Sequence, residues 1–467
     1  MNDQTDTSIV NDLLSRVRES AERLTETRHC SGTYALSSNT GGIAYRKAAT
    51  GTEAGWVDFT SPNLSEADLT GLVDACDAAT FGRGNEDVLD PSYRKAWKLD
   101  TSRFAIQFDV IQSGLLDAVH GALLRFNDSS LKINAQLYKL NVYGPGSHFK
   151  SHLDTPRSDK MFGSLVVIFP TEHIGGDLTL RFMDTAWTFE SSKMLSKTGG
   201  DAGTGDSAAR LAWVAFYSDI EHEVSVVESG YRVSVTYNLY YSQDTPAPPL
   251  PSVTPHLAEE DSLRRALKDL LSSPLVLPEG GALGFGLTFQ YPIGKDLSEA
   301  ETRSKHTPVG PISDVLKGTD ALVKRVCNEL GLECDIKALY DLDGDDWYEE
   351  DGDKFNVYLT DKAYGDGADG EYMGERMDEA PNLRVVNAFA GEAALKPRHS
   401  TSRGWRGEKI LAPVIRVLWA TPANKLTTVE TTVVTYGNEP GVGWFYASLV
   451  LVAMIPSYVA RSQAKAA

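Results

Sequence analysis

The stretch from residue 134 to 240 constrains the fold most. Six short segments rich in β-branched and aromatic residues follow one another there: NAQLYKLNVY (134–143), GSLVVIF (163–169), DLTLRF (177–182), LAWVAFY (211–217), HEVSVVE (222–228) and YRVSVTYNLY (231–240). Gly, Pro, Asp and Ser, the residues that favour turns, lie between them. Many short strands punctuated in this way predict an antiparallel sandwich or barrel. Residues 191–208, SSKMLSKTGGDAGTGDSA, form a Gly/Ser/Asp-rich insertion between two of these strands, expected to be mobile.

Helical periodicity precedes the strands. Ile9, Val10, Leu13, Leu14, Val17, Ala21 and Leu24 recur at three- and four-residue steps, which predicts a helix within the first 30 residues. A second helix is expected from about Ser65, with Asp68 three residues on as a capping box. A third pattern runs from Asp109 to Phe126. The segment SQDTPAPPLPSVTPH (242–256) holds five prolines in fifteen residues and suits neither helix nor central strand. It divides the chain into a domain over 1–240 with helical N-terminal decoration, a Pro-rich linker over 241–259, and a second domain over 260–467. The second domain mixes helical patterns near 260–272 and 319–330 with strand-like runs such as APVIRVLWAT (412–421), so the whole is α+β. The acidic run DLDGDDWYEEDGD (341–353) begins like a calcium loop. It has Asp346 where the loop needs glycine and glycine at 352 where the bidentate Glu belongs, so it reads as a solvated acidic loop.

Charge and cysteine content narrow the classes of function. Lys plus Arg is 45 against 64 Asp plus Glu, a net charge of −19, which argues against direct nucleic-acid binding through phosphate neutralisation. A basic polypeptide partner is compatible with that charge. The four cysteines, Cys30, Cys76, Cys327 and Cys334, form no CxxC pair. With no basic n-region and apolar h-region at the N-terminus, the expectation is a protein of the cytoplasm or nucleus. The longest apolar run, Trp444 to Ile455, is too short to span a bilayer, so no membrane association is expected.

The chemistry concentrates in LYKLNVYGPGSHFKSHLDTPR (137–157) and LAWVAFYSDIEHEVSVVESGYRVSVTYNLY (211–240). His152 and Asp154 stand two apart, so on a strand end they point to one side. An H-x-D pair alone is weak, because chance produces it often. His222 and Arg232 sharpen it. Two imidazoles and one carboxylate form the facial triad of non-haem Fe(II), which leaves coordination positions open for a bidentate 2-oxo acid and O2. Arg232, ten residues after His222, offers a planar fork for a distal carboxylate. Tyr143, nine residues before His152, can add a phenolic hydrogen bond. After residue 240 the histidines are His256, His306 and His399, and none begins H-x-D or H-x-E, so a second centre of this design is not expected.

The ordered set Tyr143, Gly146, His152, Asp154, His222 and Arg232 resembles the iron(II)- and 2-oxoglutarate-dependent dioxygenases of the prolyl 4-hydroxylase type. The resemblance covers about residues 130–240. It implies a double-stranded β-helix, or jelly roll. It also implies Fe(II) held by His152, Asp154 and His222, with 2-oxoglutarate and O2 as co-substrates. Arg232, helped by Tyr143, would bind the distal carboxylate of 2-oxoglutarate. Gly175-Gly176-Asp177 resembles the family's glycine-rich turn into a middle strand. Two positions depart from the collagen-type pattern. Phe149 stands where a tyrosine is common, and the distal base is arginine rather than lysine. Arginine there is closer to the oxygen-sensing and ribosomal-protein prolyl hydroxylases, and the latter carry a second, non-catalytic jelly roll. Residues 260–467 could resemble that domain in degenerate form.

The resulting expectation is a dioxygenase that hydroxylates a prolyl residue of a protein or peptide. The same chemistry would serve a small-molecule metabolite. A third alternative is a binding module that has kept the jelly roll and lost catalysis. The complete triad with Arg232 argues against the last. The sequence leaves the oligomeric state open.

Overall fold

The computed structural model describes residues 2–24, 27–37, 40–50, 52–127, 131–196, 209–242, 258–294, 306–341, 357–364, 382–388, 412–423, 436–440 and 444–464. By backbone contact the chain divides into two units. One comprises Thr27–Leu250 and Val433–Trp444; the other comprises Met1–Glu26, Pro251–Thr432 and Phe445–Ala467. The prolines at 246–255 and the acidic run after Asp341 lie outside the described residues.

The first unit is built on two sheets. The larger uses β1 (His29–Ala35), β3 (Trp97–Asp100), β4 (Lys132–Tyr143), β6 (Met161–Ile168), β9 (Arg210–Tyr217) and β11 (Arg232–Ser242). Their order is β1-β9-β6-β11-β4-β3, with the short strand Asp77–Ala78 at the far edge. The smaller sheet uses β2 (Arg94–Lys95), β5 (His148–His152), β7 (Leu178–Phe182), β8 (Thr185–Phe189) and β10 (Glu221–Val224), in the order β8-β7-β10-β5-β2. The recorded pairings in both sheets are antiparallel, which makes the arrangement one of jelly-roll type. Five of the six strand segments read from the sequence coincide with its strands; the sixth, 222–228, is split between β10 and the strand Val227–Gly230, which pairs with His173–Gly175 in a separate two-stranded sheet.

The central strands of the larger sheet are buried along almost their whole length, as in β6 and β9, rather than alternating in and out. Continuous apolar runs fit strands covered on both faces. The helix Leu115–Leu123 contributes to this cover; the Tyr217 hydroxyl donates to the Leu123 carbonyl at 2.5 Å. That helix is shorter than the pattern from Asp109 to Phe126 suggested. Gly114 takes a left-handed conformation at its N-cap, with φ of 74°. Asp109 instead closes a turn by accepting from the Ile111 amide at 2.9 Å. The helix Glu66–Ala75 starts as expected, with a reciprocal capping box between Ser65 and Asp68. Ser191–Ser196, expected to be part of a mobile insertion, is helical; 197–208 lie outside the described residues.

The second unit contains a closed barrel of six strands. These are β12 (Gly281–Gly294), β13 (Glu333–Asp341), β14 (Val357–Thr360), β15 (Leu383–Asn387), β16 (Val414–Thr421) and β17 (Trp444–Ile455), in the order β12-β16-β15-β14-β13-β17. A degenerate jelly roll would pair antiparallel throughout. Here β16 runs parallel to both β12 and β15. Leu339, Leu359, Val385, Val417 and Val450 are among the residues of its core. The N-terminal helix Asn2–Glu22 groups with this unit rather than with the first. Its buried stripe of Val10, Leu14 and Val17 lies on the side of the helix Ala258–Ser272, where the Ser20 and Ser262 hydroxyls meet at 3.2 Å. Periodicity identifies an apolar stripe but not the element that will cover it. No described helix is long and apolar enough to cross a membrane.

Candidate metal and co-substrate site

The smaller sheet brings the two histidines together. His152 ends β5 and His222 lies in β10, and the two are direct cross-strand partners. Their ring centroids are 4.2 Å apart. Asp154 follows two residues after His152, and its Oδ1 lies 3.8 Å from His222 Nε2. One donor atom from each of His152, Asp154 and His222 lies within 4.8 Å of the others, and all three side chains are buried. A 70-residue separation in sequence, from His152 to His222, is thus closed by one rung of a β ladder.

Backbone carbonyls set the imidazole tautomers. His152 Nδ1 lies 2.9 Å from the Lys150 carbonyl, and His222 Nδ1 lies 2.9 Å from the Ile220 carbonyl. A carbonyl can only accept, so each Nδ1 carries a proton, and in the neutral ring it is Nε2 that presents the lone pair. Burial, reinforced by the neighbouring His222, pushes the pKa of His152 well below the ordinary histidine value. The His152 ring is therefore neutral near pH 7, the form a metal takes. Phe149, which lacks the hydroxyl common at its position in prolyl 4-hydroxylases, lies against the His152 ring at 3.6 Å between centroids and 20° between planes. The buried guanidinium carbon of Arg94 lies over the Phe149 ring, 4.3 Å from its centre.

The larger sheet supplies the opposite wall. Arg232 opens β11 and pairs with Tyr143 at the end of β4. Its guanidinium carbon lies 5.6 Å from the Tyr143 ring centre. Arg232 is 1% exposed, and its Nη1 donates to Ser234 Oγ at 3.3 Å. Among the described residues, its Nε and Nη2 have no hydrogen-bond partner. A buried cation with two unsatisfied donors is costly by itself, whereas a bidentate carboxylate would satisfy both. Arg232, Tyr143, His152, Asp154 and His222 line one cavity. The donor chemistry and the two orphaned N–H groups thus fit a divalent iron with a dicarboxylate co-substrate beside it.

Gly176 guards this wall. It has φ of 70°, and a β-carbon there would stand 2.8 Å from Val227 Cγ2 and 3.0 Å from Arg232 Cδ. Gly176→Ala is expected to destabilise the protein by about 1–2 kcal/mol from the left-handed backbone alone. A thermal melt should show the lower midpoint.

Other histidines and cations are engaged elsewhere. His148 and His173 open the strands His148–His152 and His173–Gly175. His173 Nε2 lies 3.0 Å from Ser191 Oγ. Arg157 forms an ion pair with Glu439 and its guanidinium lies over the Tyr138 ring. Sequence reasoning missed three contributors: Arg94, Ser164 and Asn438. Ser164 Oγ donates to Asp154 Oδ2 at 2.5 Å, and Asn438 Nδ2 donates to Asp154 Oδ1 at 2.6 Å. No local pattern marks them, because their role depends on which strand or turn the fold places beside Asp154.

Residues 138–240 match the model of the 2OG-Fe(II) oxygenase superfamily. No match was found among curated proteins. Among solved structures, a prolyl-4-hydroxylase from Pseudomonas putida is similar at 16% identity, covering 48% of this chain and 98% of its own, with a TM-score of 0.27. A prolyl hydroxylase from Trichoplax adhaerens, in complex with a hypoxia inducible factor oxygen degradation domain peptide fragment, is similar at 15% identity over 49% of this chain and 92% of its own, with a TM-score of 0.25. A viral collagen prolyl hydroxylase from Paramecium Bursaria Chlorella virus-1 shares 14% identity over 32% of this chain and 79% of its own, with a TM-score of 0.22. The stretch carrying His152, Asp154 and His222 is a domain of the 2OG-Fe(II) oxygenase superfamily, and its chemistry is that of a dioxygenase using Fe(II), 2-oxoglutarate and O2.

Proposed function

We propose that this centre hydroxylates a prolyl residue of a protein or peptide in the cytoplasm or nucleus. His152, Asp154 and His222 hold the iron, and Arg232 with Tyr143 holds the distal carboxylate of 2-oxoglutarate. The observation that carries the site assignment is the pair of buried, unpartnered N–H groups of Arg232 in the cavity that also holds the three metal donors. When bound, iron with 2-oxoglutarate supplies the oxidation of a substrate C–H bond by O2. The chain's own residues do the rest. The two Nδ1–H···O=C bonds orient the imidazoles, Arg232 fixes the direction of the co-substrate, and the buried walls exclude water.

A prolyl target is supported by the ordered Tyr143-to-Arg232 motif, which resembles prolyl 4-hydroxylases along its full span. A macromolecular target is supported by chain length well beyond what a jelly roll needs. The net charge of −19 suits a basic polypeptide. The test uses full-length protein loaded anaerobically with Fe(II) and 2-oxoglutarate. It is offered cell-extract proteins and a metabolite pool, and O2 is then admitted. A hydroxyproline at a defined peptide position, formed with stoichiometric succinate, is the expected product. Turnover confined to a free metabolite would overturn the proposal in favour of small-molecule oxidation.

A further inference from the structure

A short segment far along the chain reaches the metal-binding carboxylate. Tyr436–Gly437 pairs with the strand Phe81–Arg83 in the first unit. The Tyr436 ring stacks on Tyr93 at 4.7 Å, and the Leu153 amide donates to the Tyr436 carbonyl at 3.3 Å. Beyond Asn438, the Thr155 hydroxyl donates to the Glu439 carbonyl at 2.6 Å. The Glu439 carboxylate forms ion pairs with Lys139 and Arg157. Residues 436–440 are therefore a strap fastened on both sides of Asn438.

The orientation of the Asn438 amide follows from its partners. The Thr155 backbone amide donates to Asn438 Oδ1 at 3.0 Å. A backbone N–H can only donate, so the amide oxygen must face Thr155 and the NH2 must face Asp154. Asp154 then receives Ser164 on Oδ2 and Asn438 on Oδ1. Oδ1 is also the oxygen that approaches His222 Nε2. An ionised carboxylate oxygen has more than one acceptor direction, so Asn438 can hold Oδ1 while a lone pair still faces the imidazoles. Donors at both oxygens restrict rotation of the carboxylate.

We infer that Asn438 is a positioning residue for the metal site, carried there by the 436–440 strap, so that the catalytic domain is completed by residues about 280 positions downstream of its metal motif. The inference rests on Asp154 being a metal ligand. Partners that orient metal ligands typically change metal affinity by about 10–100-fold when removed.

The test is anaerobic titration of full-length, metal-free protein with Co(II), following its visible absorption, for wild type, Asp154→Ala, Asn438→Ala and Asn438→Gln. Each variant is titrated below its own melting onset, so the reading refers to folded protein. The expected result is a Kd for Asn438→Ala raised about 10–100-fold with an altered cobalt band. Asn438→Gln, which keeps the amide on a longer arm, should recover part of the affinity. If Asn438→Ala bound Co(II) with wild-type affinity and spectrum while Asp154→Ala lost it, the positioning role would be overturned. If Asp154→Ala also kept wild-type affinity, the assignment of Asp154 as a ligand would fall first, and this inference with it.

Discussion

Arg232→Ala protein is expected to bind 2-oxoglutarate far more weakly while keeping its metal. In the wild type the guanidinium is buried, stays charged, and among the described residues has only the Ser234 hydroxyl as a hydrogen-bond partner. Removing one partner of a buried charge pair costs about 2–5 kcal/mol. At about 1.4 kcal/mol per decade, that is a loss of about 30-fold to several thousand-fold in affinity. Calorimetric titration of Mn(II)-loaded protein with 2-oxoglutarate reads the effect without turnover. Arg232→Lys should fall between the two, because an ammonium restores charge but not the bidentate fork. Equal affinity in wild type and Arg232→Ala would remove Arg232 from the co-substrate site.

The second large effect is on iron itself. Purified His152→Ala and Asp154→Ala proteins are each expected to lose the single Fe(II) per chain that wild type should retain. The reason is the count of donors. With one of three gone, two buried groups on one rung and its adjoining turn remain to hold the ion. Metal analysis after anaerobic loading and desalting measures the stoichiometry. Far-UV circular dichroism should be unchanged, since neither side chain belongs to the apolar core. Iron retained at wild-type stoichiometry in both variants would move the site elsewhere.

The candidate metal site was legible in the sequence because its chemistry is rare and its spacing is informative. His152 and Asp154 are fixed two apart by strand periodicity, and His222 and Arg232 lie at the starts of recognisable strand patterns. What surrounds them was much less legible. Phe149 looked like a lost hydroxyl; in three dimensions it is a flat plate stacked on a ligand ring. Arg94 sits in a two-residue strand that no periodicity could reveal, yet it donates to Asn141 Oδ1 at 3.0 Å and covers Phe149. Asn438 falls in YGNEPGVG, a stretch notable in the sequence only for its glycines. The second unit was the hardest to read. A strand pattern reports that a residue is extended and apolar but not whether its neighbour runs parallel or antiparallel, and two of the barrel's ladders turned on that difference. The N-terminal helix posed the same difficulty, because an apolar stripe specifies a need for cover and not its source.

The strap also sets an order of events during synthesis. A ribosome that has released residues 27–250 has delivered both metal histidines, Asp154 and Arg232, but the donor to Asp154 Oδ1 is nearly two hundred codons away. Most of the second unit's chain emerges in that interval. A nascent chain in this state keeps the Ser164 donor to its carboxylate but lacks the Asn438 one, and leaves Lys139 and Arg157 without the Glu439 charge. Closing so long a loop adds to the entropy cost of assembling the centre and slows it. Iron bound to the young domain would therefore be held less firmly than iron bound after residues 436–440 have docked.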